Sequence, residues 1–139
     1  MLKHLSLIAL GFGLLIGGVT MAMFDDGSGA DGRQGSMAPV ILPNLTPTEQ
    51  HGKGLFHQHC AQCHGINAIG SDKGPPFLHR AYHPNHHADG AFLLAVRIGV
   101  RRHHWSFGNM PPQPQVSDSD TRAIVTFVRA LQRANGFAP

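Results

Sequence analysis

Cys60 and Cys63 are separated by two residues, and His64 follows the second of them directly, in the run Cys60-Ala61-Gln62-Cys63-His64-Gly65. On a helix, positions three apart lie close to one turn from each other, so both sulfurs can reach the two vinyl groups along one side of a porphyrin. Thioethers formed there leave the imidazole of His64 to bind the iron, which makes a covalently held haem the first expectation. The motif uses both cysteines of the chain. Three other chemistries share the spacing. A redox dithiol of the thioredoxin type calls for a strand leading into the motif, whereas the flanks here read as helix before and Gly-rich loop after. A structural zinc ion needs two further ligands, and no second C-x-x-C is present. A plain disulfide demands no particular flanks.

The elements around the motif have clear start and stop signals. Thr46-Pro47-Thr48-Glu49 is a capping box with proline at the first helical position, which predicts a helix from Pro47 to about Cys60. Leu55 and Phe56 supply its apolar face. Gly52 and Gly54 each weaken it by about 1 kcal/mol relative to alanine, so one of them is expected to admit the close approach of another backbone. A second helix is expected over 90–98, with Asp89 as its cap, Phe92, Leu93 and Val96 on one face, and Gly99 as its stop. Ser117-Asp118-Ser119-Asp120 opens a third, over 118–134. Its Ile124, Phe127, Val128 and Leu131 follow the i, i+3, i+4, i+7 pattern, and Arg129 and Arg133 are expected to complement the helix dipole near its end. No alternating strand pattern appears. The expected fold is all-α, three to four helices with long Pro/Gly loops over 65–87 and 105–116. Loops that long in so small a domain imply a cofactor to wrap around.

The chain has 139 residues, one domain by size. Residues 5–24 carry no charge, about the length of a membrane-spanning helix and more than the apolar core of most signal peptides. Thr20-Met21-Ala22 is a poor cleavage site. Residues 1–24 are therefore read as a membrane anchor, with a cleaved signal peptide as the alternative. Lys3 before the segment and Asp25 and Asp26 after it put the amino terminus in the cytoplasm and everything beyond it outside. Residues 25–44, rich in Gly, Ser, Pro and Asp, read as a flexible linker. That leaves 45–139 as the folded domain, with nine Lys and Arg against five Asp and Glu. The excess is modest and lacks interleaved aromatics, which argues against nucleic-acid binding.

Residues 45–139 resemble the class I, single-haem cytochrome c family. The likeness rests on Gly52, Phe56 and Cys60 at the family's spacing, on Gly74-Pro75-Pro76 after the haem histidine, on Asn109-Met110-Pro111-Pro112 before the last helix, and on Phe127 within that helix. The resemblance implies the cytochrome c fold, one haem c held by Cys60 and Cys63, His64 and Met110 as axial iron ligands, and a Pro75 carbonyl that fixes the His64 tautomer. It also implies an electron carrier, not an enzyme by itself, though one that can serve as a subunit of a larger oxidoreductase. Such a protein exchanges single electrons with dehydrogenase, oxidase or reductase partners at the periplasmic face of a bacterial inner membrane, or free in the periplasm if the amino-terminal segment is cleaved. Met110 is the only methionine in the folded domain; a thioether ligand favours Fe(II) and raises the reduction potential.

The histidines depart from the family pattern. His79, His83, His86, His87, His103 and His104 all lie between the two ligand-bearing segments. Any of them could displace Met110, and His83, His86, His87, His103 and His104 could hold a second metal, because imidazole suits copper and zinc. Two rival functions follow: a haem sensor whose Met110 is labile, and a copper-handling cytochrome. Tyr82 and Trp105 have polar ring edges that could donate to the haem propionates. Arg97, Arg101 and Arg102 could dock an acidic partner.

Overall fold

The computed structural model describes residues 39–137. The uncharged segment 5–24 and most of the expected linker lie outside that range. Among the described residues no helix is long and apolar enough to cross a membrane, and no strand forms beyond one isolated antiparallel bridge, between Val100 and Met110. The described residues form four α-helices: α1 Pro47–His59, α2 Ala61–His64, α3 Asp89–Ile98 and α4 Asp118–Ala134. Two 3-10 turns, Ile66–Ala68 and Arg80–Tyr82, interrupt the long loop between α2 and α3.

The caps of α1 and α4 form as expected. Thr46 Oγ1 accepts from the Glu49 amide, and Glu49 Oε2 accepts from the Thr46 amide at 2.8 Å, so two orphan donors of the first turn are satisfied. Ser117 Oγ accepts from the Asp120 amide and starts α4. Asp89 does not cap α3. The N-cap is Ala88 with no side-chain bond, and the Asp89 carboxylate accepts from Arg129 instead.

α1 and α4 cross face to face, and their contact is the centre of the core. Phe56 and Phe127 are fully buried with ring centroids 5.5 Å apart, joined by Ile124, Val128 and Leu131 along the apolar stripe of α4. Gly52 makes the crossing close: a Cβ there would lie 1.9 Å from the carbonyl oxygen of Ala123, while one at Gly54 would meet nothing within 4 Å. The close approach expected of one glycine thus belongs to Gly52. The last residues of the expected linker are fastened down as well. Ile41 exchanges two hydrogen bonds of 2.9 Å with the Asn135 side chain, and Val40 packs against the core.

Arg129 does not serve the helix dipole. It is 8% exposed, and its guanidinium donates to Asp89 Oδ1, to the carbonyls of Tyr82 and His87, and to Gln132 Oε1. Fully buried Gln132 donates in turn to the carbonyls of Phe77 and Tyr82, at 3.0 Å each. A loop with little regular structure leaves carbonyls without partners, and these two side chains of α4 supply the donors for residues 77–87. Arg133 pairs with Glu49 at 3.0 Å and ties α4 to the start of α1.

Candidate functional site

Cys60 caps α1 and opens the four-residue helix α2, which carries Cys63 and His64. Cys60 is partly buried and Cys63 exposed. Burial, with a smaller contribution from Cys63, pushes the Cys60 thiol up to about 11. A redox dithiol is activated by a depressed thiol pKa, and burial shifts Cys60 the other way.

The chain beyond α2 folds back onto the motif. Ser71 Oγ donates to the Cys63 carbonyl at 2.6 Å, and the Gly70 amide donates to the His64 carbonyl at 2.7 Å. This return brings the Pro75 carbonyl to 2.9 Å from His64 Nδ1. A carbonyl only accepts, so Nδ1 carries the proton and a neutral ring leaves the Nε2 lone pair free for a metal. Burial lowers the His64 pKa, against the opposing pull of the Pro75 bond, and so favours the neutral ring that iron requires. Phe77 lies against the imidazole with ring centroids 4.3 Å apart. Nothing in the sequence pattern singles out Phe77 or Gln132, and it marks Arg129 only as a helix-dipole partner, although a bare loop of carbonyls beside an i, i+3 Arg and Gln is a signal that could have found the roles of the last two.

Met110 sits in the bridge with Val100, paired through two backbone bonds of 2.9 and 3.0 Å. The Met110 carbonyl packs against Gly99, which has φ +76 and where a Cβ would come within 2.5 Å of that oxygen. The end of α3 thereby holds the Met110 segment. Asn109 Oδ1 accepts from the Arg102 amide and closes the same loop.

The surroundings fit a large apolar ring bearing carboxylates. Among the described residues, Trp105 Nε1 is the one buried side-chain nitrogen or oxygen with no hydrogen-bond partner. Burial raises the pKa of the neighbouring Tyr82 phenol, opposed in smaller part by the Trp105 indole, yet Nε1 itself reaches no acceptor in bonding geometry. Ile66, Ile69, Ile98 and Phe107, which flank the His64 and Met110 segments in sequence, are all exposed large apolar side chains that a ring could cover.

The other expected site residues separate. His86 and His104 bring their Nε2 atoms to 3.2 Å, and His87 joins them. His83 does not: its Nδ1 accepts from the Asn85 amide. His103 stacks on His87 with centroids 5.8 Å apart but bonds to the Arg101 carbonyl. Desolvation and then the charges of His103, His87, His86 and His79 lower the pKa of His104. Arg97 is taken up by a two-pronged pair with Asp118, which leaves Arg101 and Arg102 as the exposed cations of that group.

The family described as Cytochrome c matches residues 49–132. Among curated proteins, a lupanine 17-hydroxylase (cytochrome c) from Pseudomonas sp is 33% identical over 86 residues, which cover 61% of this chain and only 11% of that protein. No solved structure matches the chain.

Proposed function

Because this chain belongs to the cytochrome c family, we propose that the haem c it carries on Cys60 and Cys63 has His64 and Met110 as its axial ligands and passes single electrons between periplasmic or membrane redox partners. The observation that carries this reading is the buried imidazole of His64, held by the Pro75 carbonyl as the tautomer with a free Nε2. The haem supplies a one-electron Fe(II)/Fe(III) couple. The chain supplies everything that tunes it. Cys60 and Cys63 anchor the ring; the Pro75 bond orients His64 and raises its basicity toward iron. The Met110 thioether, as the second iron ligand, would favour the reduced state and would leave no site for substrate at the metal. Trp105 Nε1, buried and without a protein acceptor, would donate to a propionate.

The partner is an enzyme that oxidises a small substrate and hands on its electrons one at a time. Support comes from the named relative, a hydroxylase that carries a cytochrome c designation. Exposed Arg101 and Arg102 form the docking cations. The uncharged run 5–24 supports a location outside the inner membrane, with segment 1–24 either anchoring the domain at the periplasmic face or cleaved to release it into the periplasm. The deciding experiment is a reduced-minus-oxidised spectrum with potentiometry on the haem-loaded protein and on Met110→Ala. The parent is expected to be low-spin, inert to carbon monoxide at neutral pH, and to have the higher potential. Met110→Ala is expected to open the iron to carbon monoxide and lower the potential. Carbon monoxide binding to the unaltered protein would overturn the reading and favour a sensor.

A further inference from the structure

Outside the haem site, the fold gathers imidazoles from two loops that are far apart in sequence. His86 and His87 end the turn before α3, and His104 lies in the loop that leads to Met110. One potential ligand atom from each lies within 4.8 Å of the other two, with the His86 and His104 Nε2 atoms 3.2 Å apart. Two nitrogens bound at about 2.0–2.1 Å to one tetrahedral zinc ion stand about 3.3–3.4 Å from each other, so this pair is already at ligand spacing.

We propose that His86, His87 and His104 form a binding site for one divalent transition-metal ion of the copper or zinc kind.

Three features of the geometry support it. His87 Nδ1 donates to the Ala81 carbonyl, which leaves Nε2 as the free nitrogen and is the outer bond that metal-binding histidines ordinarily make. The His87 backbone is fixed by Arg129, whose Nη2 donates to the His87 carbonyl at 2.6 Å, so the ligand does not depend on a loose loop. His86 and His104 are exposed, which gives an ion an entry path and leaves a fourth position for water or a side chain of a partner. Three neutral nitrogens and no thiolate or carboxylate select borderline ions over magnesium or calcium, and copper(II) over zinc in affinity. The inference is independent of whether Met110 binds the haem iron.

The test uses the haem-loaded protein stripped of adventitious metal with a chelator, then titrated with Zn2+ by calorimetry and with Cu2+ by electron paramagnetic resonance. One saturable equivalent is expected, with copper(II) showing nitrogen splitting from three imidazoles. His86→Ala and His104→Ala should each weaken zinc binding at least tenfold with the haem spectrum unchanged. His83→Ala, which alters a neighbouring histidine outside the cluster, should leave binding intact. Absence of a saturable equivalent, or an equal loss in His83→Ala, would overturn the assignment and reduce the cluster to hydrogen-bonded surface histidines.

Discussion

Two glycines on one helix face opposite fates when given a methyl group. Gly54 is exposed and a Cβ there touches nothing, so Gly54→Ala should gain the helix propensity difference of about 0.8–1.0 kcal/mol without penalty. In a domain of this size that corresponds to a rise in melting temperature of about 4–8 °C. Gly52→Ala gains the same propensity but must place its Cβ 1.9 Å from the Ala123 oxygen and 2.5 Å from its carbonyl carbon. The obstacle is backbone, which cannot swing aside as a flexible side chain would. α1 and α4 must part by on the order of 1 Å, loosening the Phe56–Phe127 contact along with the whole crossing. Overpacking of this kind costs about 1–3 kcal/mol in ordinary cores, and the backbone clash places Gly52 at or beyond the upper end, for a net loss of about 2 kcal/mol or more. Thermal melts of the haem-loaded proteins followed by circular dichroism, with urea midpoints as the second measure, give the sign directly. A Gly52→Ala protein that melts at or above the parent would refute the close-approach argument. So would a Gly54→Ala protein that falls as far as Gly52→Ala, since nothing around Gly54 accounts for a loss.

Arg129→Met removes the donors for the His87 carbonyl and Gln132 Oε1 and one of the two for the Tyr82 carbonyl, and should cost about 1–3 kcal/mol in urea unfolding for each acceptor left buried and unpaired. Asp89 is 68% exposed, so Asp89→Asn should cost far less, and equal losses would place the energy in the ion pair instead. Trp105→Phe deletes an indole N–H that has no protein acceptor; it should change stability by less than about 1 kcal/mol yet lower the haem reduction potential, and an unmoved potential would reject the propionate role. Glu49 is held below its ordinary value of 4.5, first by the Thr46 amide, with burial opposing and Arg133 assisting. A depressed carboxyl contributes stability above that value that is lost as the pH falls through its lower folded pKa, so the stability gap between the parent and Glu49→Gln should be full at neutral pH and shrink in acid; a gap that is constant with pH would show that the carboxylate charge contributes nothing.

What the amino-acid sequence determined by itself was whatever depends on neighbours along the chain. The Cys60, Cys63 and His64 spacing identified the cofactor. The Thr46 to Glu49 box started α1, and Ser117 with the 3.6-residue stripe of α4 set that helix and its buried face, because caps and amphipathic registers are complete within a few turns. The Gly74-Pro75-Pro76 loop was legible only through the family it resembles, since nothing local says that a carbonyl eleven residues on will meet Nδ1 of His64. Tertiary structure decided the rest. Sequence marked two glycines as costly, and only the α1 and α4 crossing showed that Gly52 meets a backbone. It read Asp89 as a cap and Arg129 as a dipole partner, both sound locally, yet buried carbonyls of the 77–87 loop had no donors of their own and drew Arg129 inward, taking Asp89 with it. Five histidines were candidates for a second metal, and the fold gathered His86, His87 and His104. Loop closure sets which imidazoles meet, and its geometry depends on contacts forty and more residues apart, such as Arg129 with Asp89, that no short window of sequence contains.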